Sequence, residues 1–195
     1  MVAVQSPLLT PEEHLTFERE SEVKHEYVAG EIIAMAGASR RHNLIQSTTL
    51  TALNNALEVR PCEVYPSDMR VKVGALGIYT YPDITVVCSD SELEDAEQDT
   101  LLNPMVIIEI LSPLTAHYDR ELKFHRYQLI TSLRDYLLIA QDRPAIEHYV
   151  RGDDRRWSLS LHAGLTEMVM LRSIGCSLAL AEVYRKIGFD SAASS

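Results

Sequence analysis

Met105-Val106-Ile107-Ile108-Glu109-Ile110-Leu111 is apolar at odd and even positions alike, with one carboxylate in its middle. A strand wetted on one face alternates apolar with polar residues, so a run without alternation has both faces covered. The stretch is therefore expected as a central strand, with the rest of the chain as its cover. Upstream, Tyr81-Pro82-Asp83-Ile84-Thr85-Val86-Val87-Cys88 reads as a second buried strand, with Pro82 tolerated at its start. Downstream, RDYLLIA at 134–140 reads as a third. Ser112-Pro113 ends the first, and residues 118–130 form the helix that crosses over to a parallel neighbour.

Working outward, residues 63–73 hold two short β pieces broken near Pro66. Residues 41–59 form a long helix, with Leu44, Thr48, Leu53 and Ala56 on one face and Pro61 as its stop. Thr10-Pro11-Glu12-Glu13 starts a short helix through a capping box, running to about Arg19. Residues 24–28 and 31–35 make a hairpin around Ala29-Gly30. Residues 145–151 and 156–161 make a second, turning at Gly152-Asp153. A last helix is expected over 178–187 and a frayed tail over 188–195. The fold class is α/β with α+β mixing. One mixed sheet carries flanking helices and added N- and C-terminal hairpins, in a single domain over 1–195 with its core at about 10–150 and the C-terminal hairpin and helix at 145–187.

With 195 residues, 46% hydrophobic and 24% charged, one soluble globular domain is expected. No apolar run approaches the roughly 20 residues of a membrane helix. MVAVQSPLLT has neither a basic residue nor a long apolar segment, so no signal peptide is expected. Cys62, Cys88 and Cys176 lie far apart, which argues against a zinc cluster or a disulfide framework and for the cytoplasm. A net charge of -10 argues against a protein that coats nucleic acid. Six of the 28 acids fall in one run, Asp90, Glu92, Glu94, Asp95, Glu97 and Asp99, read as a solvated loop.

Glu109 carries the chemistry. A buried carboxylate must be neutral, paired or bound to a cation. A salt bridge from a covering helix is one solution. Asp83 offers another: if the 81–88 and 105–111 strands pair antiparallel, Asp83 and Glu109 converge, and two carboxylates repel unless a cation lies between them. Asp83 as a turn acid that caps its strand is the plainer alternative. Oxygen ligands without a Cys or His cluster suit Mg2+ or Mn2+ better than zinc. Asp119, Lys123 and Tyr127 follow at i, i+4 and i+8 and share one helix face, as a surface ion pair or as part of the site. His117, His125, His148 and His162 show no ligand spacing and read as surface or interface histidines.

The succession KHEYVAGEIIAMAG, RHNLIQ, YPDITVV, VIIEILSPLTAHYDRELKFHRY and RDYLLI resembles the Uma-type family of restriction endonucleases, within the PD-(D/E)XK nuclease superfamily. The likeness covers roughly residues 10–150. It implies that Asp83 and Glu109 are metal ligands and that the Ile110 carbonyl completes the protein's share of the metal shell. The family motif places Lys two residues after Glu109, where this chain has Leu111. The lysine role is then expected at Lys123, with Lys72 as the alternative and Tyr127 in support. Glu26 matches an acid of the N-terminal hairpin, either a second metal ligand or a structural partner. Arg40, Arg41 and His42 are either DNA-phosphate ligands or a solvated helix start.

The implied function is Mg2+- or Mn2+-dependent cleavage of DNA, double-stranded, by a homodimer. The dimer is expected through the terminal hairpin, with Ile146, Tyr149, Trp157 and Leu159 as exposed apolar residues. Lys123→Met is expected to leave folding nearly intact while cutting cleavage. Leu111 and the acidic charge point instead to a catalytically inactive nucleic-acid- or protein-binding module of the same fold. A metal hydrolase of small phosphate esters is a third reading, disfavoured by the lack of a Gly-rich phosphate loop.

Overall fold

The computed structural model describes residues 8–74, 77–112 and 116–189. Pro113 and Thr115 of the sequence motif, the start of the N-terminal segment and tail residues 190–195 lie outside them.

Helix α1 (Pro11–Glu20) starts on the capping box: Thr10 N–H donates to Glu13 Oε2 at 2.7 Å, and Glu13 N–H donates to Thr10 Oγ1 at 3.2 Å. Strands β1 (His25–Val28) and β2 (Glu31–Ala34) form the N-terminal hairpin. Its turn needs positive φ at Ala29 (51°) and Gly30 (97°), which glycine adopts at little cost. Helix α2 (Arg40–Leu57) is capped by Ser39, whose side chain accepts from His42 N–H, and ends before Pro61. Then come β3 (Glu63–Pro66), β4 (Arg70–Val73), β5 (Ile78–Thr80), β6 (Ile84–Val87), β7 (Thr100–Leu101) and β8 (Val106–Leu111).

The crossover after β8 is helical but not uniform. A short α3 (Ala116–Tyr118) passes through a π-helical turn (Asp119–Lys123) into α4 (Phe124–Tyr127). Strands β9 (Asp135–Ala140), β10 (Ala145–Arg151), β11 (Trp157–Ala163), β12 (Met168–Leu171) and β13 (Cys176–Ala179) follow, with α5 (Leu180–Val183) last.

The central sheet has order β11-β10-β9-β8-β6-β3 and is mixed: β8 and β9 are parallel, the other neighbours antiparallel. All six residues of β8 are buried, as its apolar run requires. Ile108 and Ile110 face a cluster with Ile45, Leu53 and Leu57 of α2, the β12–β13 hairpin and α5. Ile107 and Leu111 face the other way, toward Tyr127, Tyr136 and Leu138. Glu109 shares that second face by alternation.

Several expectations are corrected. The described residues form two large sheets rather than one, because the N-terminal hairpin joins β5, β4 and β7 in order β2-β1-β5-β4-β7. The 81–88 stretch is strand only at Ile84–Val87. The last helix, expected over 178–187, is present only at Leu180–Val183, and Leu178 and Ala179 belong instead to strand Cys176–Ala179, paired with β12. Gly188 and Phe189 are not frayed: Arg41 donates to the Gly188 carbonyl and lies over the Phe189 ring, which packs edge-on against Tyr184. His148 is buried, bound through Nε2 to Asp135 at 2.7 Å. Cys62 and Cys88 are disulfide-bonded, because the β3–β6 register that pairs Glu63 with Val87 sets them opposite one another, Cα atoms 3.9 Å apart. No described helix is long and apolar enough to cross a membrane.

Candidate active site

The β6–β8 register pairs Ile84 with Ile108, so Asp83 stands beside Glu109 one step further along. Asp83 Oδ2 accepts the Ile110 N–H at 2.7 Å. In a strand, N–H and C=O of one residue point to the same edge, so the Ile110 carbonyl also faces the Asp83 side. His42 Nε2 lies 3.0 Å from the same Asp83 oxygen, and Gln46 Nε2 donates to the Asp83 carbonyl at 2.8 Å. These two side chains sit one turn apart on α2, which packs across the sheet at this end.

Glu109 is buried under the crossover helix. Lys123 Nζ donates to Glu109 Oε1 at 3.1 Å, and Tyr127 Oη donates to the same oxygen at 2.8 Å. Lys123 also lies 3.2 Å from Glu26 Oε1 and 3.7 Å from Asp119 Oδ1. Glu26 Oε2 accepts from Tyr118 Oη at 3.2 Å, and Arg126 donates to that hydroxyl at 2.6 Å. The π turn carries Asp119 and Lys123 inward together; such bulges recur at functional sites.

Three carboxylates therefore surround one ammonium, with Asp83 close behind. Burial pushes the Glu109 carboxyl up to about 8; Lys123 opposes this, while the charges of Asp83 and Asp119 add to it. Burial works against the Lys123 charge, but Glu109, Glu26 and Asp119 outweigh it and raise its pKa well above the ordinary value. The two directions agree physically. Burial and the neighbouring carboxylates thus favour the neutral form of Glu109, while the carboxylates around Lys123 keep the ammonium charged. Among the described residues no three His, Cys, Asp or Glu side chains form a ready-made metal cluster. The donors available beside Glu109 are Asp83 and the Ile110 carbonyl, all hard oxygens.

The structure thus brings together Asp83, Glu109, Ile110, Lys123, Glu26 and Tyr127. It does not bring in Lys72, which pairs with Glu94 on the other sheet and lies over the Tyr79 ring. Arg40 is exposed at the start of α2, and Arg41 turns to Gly188 and Phe189. His42 turns inward to Asp83 rather than outward with the two arginines. Gln46, Tyr118 and Arg126 were not singled out from sequence. Gln46 lies in the RHNLIQ stretch, four residues after His42, and that spacing is the one available signal for it.

A family profile described as "Uma2: Putative restriction endonuclease" matches residues 11–181, beyond the 10–150 span of the sequence motifs. Two Synechocystis proteins described as uncharacterized are similar to the chain. The protein slr1290 is 36% identical over 183 residues, 94% of this chain and 95% of its own length. The protein sll1609 is 36% identical over 160 residues, 82% of this chain and 90% of its own. A crystal structure from Anabaena variabilis, described as a "putative nuclease belonging to DUF820", superposes with a TM-score of 0.74 at 21% identity, covering 91% of this chain and 98% of that one. At that identity the likeness speaks for the fold, a nuclease-like mixed α and β architecture. The profile match spans most of the chain, and the chain belongs to the Uma2 family of restriction-endonuclease-like proteins.

Proposed function

We propose that the protein is a divalent-cation-dependent nuclease that hydrolyses phosphodiester bonds of double-stranded DNA. The observation that carries this reading is the 3.1 Å contact of Lys123 with Glu109, made beside Asp83, the residue just before β6. Two adjacent carboxylates, with an ammonium in hydrogen-bond reach of one of them, are the side chains that metal-assisted hydrolysis of a phosphate ester requires. The donors fit Mg2+ or Mn2+: they are oxygens, too few to enclose an ion, and Mg2+ keeps several waters. Asp83, Glu109 and the Ile110 carbonyl would hold the ion. Bound there, it would polarise a phosphoryl oxygen and lower the pKa of a water ligand. Lys123 donates hydrogen bonds at the same place and offsets negative charge that develops at phosphorus. Tyr127 and Glu26 hold Lys123 and Glu109 in register. Arg40, exposed at the start of α2, where no acidic residue occupies the first turn, suits a neighbouring DNA phosphate.

One observation favours a second reading, a non-catalytic binding module. Leu111 is buried where the motif lysine belongs, and Lys123 is engaged by three carboxylates. Nicking of supercoiled plasmid with Mg2+ or Mn2+, against an EDTA control, separates the two. Metal-dependent nicking by the parent, abolished in Asp83→Asn and reduced in Lys123→Met, supports the nuclease. DNA binding without nicking at any metal concentration overturns it in favour of the binding module.

A further inference from the structure

Strand β11 is the outer strand of the central sheet, and among the described residues its ladder partner is β10. Gly152 N–H donates to the Arg156 carbonyl and Gly164 N–H to the Pro144 carbonyl, each at 2.8 Å. With the β10–β11 register, these bonds set the narrow pairs at the even-numbered residues of β11. The backbone amides and carbonyls of Trp157, Leu159, Leu161 and Ala163 therefore point to the open edge. Proteins blunt such edges with charges, proline or bulges. Trp157–Ala163 has no Lys, Arg, Asp, Glu or Pro, and its pairing with β10 runs unbroken from end to end. Leu159 and Leu161 are 57% and 65% exposed. With Pro144, Ala145 and Ala163 they line an apolar groove of about 560 Å³ beside the edge. The terminal hairpin is thus an open surface for a different reason than its composition suggested: Ile146 is in the core, and Tyr149 and Trp157 pack on Phe124.

We propose that β11 pairs antiparallel with β11 of a second copy of this chain, across a two-fold axis at Ser160. The strand is self-complementary about that residue. Full overlap sets Leu159 against the partner's Leu161, and Trp157, the largest side chain, against the partner's Ala163. These odd-numbered pairs carry the outward amides, so each exchanges both hydrogen bonds. Two open edges close into one continuous sheet through an isologous contact, which a different protein would have to match by chance.

Ser160 falls at a wide pair on the axis, with Cα atoms about 4.5 Å apart, at the short end of the range a disulfide spans. Ser158 meets the partner's position 162 instead, so its two copies lie about 13 Å apart. Ser160→Cys, treated with oxidised glutathione, is expected to give a covalent dimer of twice 21.9 kDa on a non-reducing gel, and Ser158→Cys to stay monomeric there. Light scattering at tens of micromolar is expected to give the dimer mass for the parent and 21.9 kDa for Leu161→Lys, a change at an exposed side chain. A monomeric parent overturns the proposal. So does a dimer in which Ser158→Cys crosslinks and Ser160→Cys does not.

Discussion

Lys123 reaches Glu109 from a helix, Nζ to Oε1 at 3.1 Å, while the strand position that faces the same way two residues after Glu109 holds Leu111. Leu111 packs with Ile107, Tyr127 and Leu138, so an ammonium there would lie in the apolar cluster. Delivered from the π turn, the charge arrives among carboxylates instead. The ammonium and its partners then belong to different elements, and the ion pairs fasten the crossover helix to β8 and to the N-terminal hairpin.

Lys123→Met therefore has a structural cost that the spacing along the helix did not suggest. Lys123 is buried and forms ion pairs with Glu109, Glu26 and Asp119. Removing one partner of a buried ion pair costs about 3–5 kcal/mol, lessened where a carboxylate takes up a proton. The variant is expected to melt well below the parent at pH 7. Calorimetry checks this; equal melting temperatures would show that the ion pairs add nothing.

His14 sets the acid limit of the N-terminal layer. It is fully buried, stacked on Tyr27 with ring centroids 4.8 Å apart, and neither ring nitrogen has a hydrogen-bond partner among the described residues. Burial lowers its pKa to about 4 from the ordinary 6.5. Above pH 6.5 both folded and unfolded chains hold it neutral, and stability does not change on its account. Between 6.5 and 4 the unfolded chain binds a proton that the folded chain refuses, so stability falls with pH, by on the order of 3 kcal/mol in all. His14→Phe keeps a ring on Tyr27 and is expected to flatten that slope. Urea unfolding at pH 7 and 4.5 measures it, and parallel losses in parent and variant would refute the assignment.

The parts of the fold legible in sequence are those whose signal is local. Strands β6, β8 and β9 announce themselves as apolar runs with turn residues at their ends, and α1 by its capping box. Strand β7 has two residues and no pattern to read. Cys176–Ala179 alternates buried with exposed residues, a period hidden among good helix formers in the segment that follows. The division into two sheets and the meeting of Cys62 with Cys88 depend on register across 26 residues, which no spacing rule supplies. At the site, Glu109 could be singled out because buried charge in an apolar run demands a reason, Asp83 by its place before the neighbouring strand, and Lys123 by its spacing with Asp119 and Tyr127 together with the family resemblance. His42 and Gln46 sit on an ordinary polar helix face, and only the packing of α2 turns them to Asp83.

The Cys62–Cys88 disulfide ties edge strand β3 to β6. Closing a loop of this length restricts the unfolded chain by on the order of 3 kcal/mol. Dithiothreitol, or the double change Cys62→Ala with Cys88→Ala, is expected to lower the melting temperature by several degrees while leaving the far-ultraviolet circular dichroism spectrum unchanged. An unchanged melting temperature would show that β3 is held by its ladder alone.

His42 binds the carboxylate proposed as a metal ligand without being a ligand itself. Its Nε2 lies 3.0 Å from Asp83 Oδ2, the oxygen that also accepts the Ile110 N–H. Side chains in this position orient a ligating carboxylate, and losing one typically lowers metal affinity by about 10–100-fold. His42→Ala spares the helix, because the cap uses the His42 backbone N–H, donated to Ser39 Oγ, and not the ring. The other ring nitrogen, Nδ1, is buried without a hydrogen-bond partner among the described residues, so truncation strands no other described group. Titration calorimetry with Mn2+ is therefore expected to show weaker binding in His42→Ala at an unchanged melting temperature. His42→Gln, whose amide can still donate to Asp83, is expected to recover part of the affinity. Equal Mn2+ affinity in all three proteins would mean that the His42–Asp83 contact is a packing feature and that the ion, if bound, does not use that oxygen.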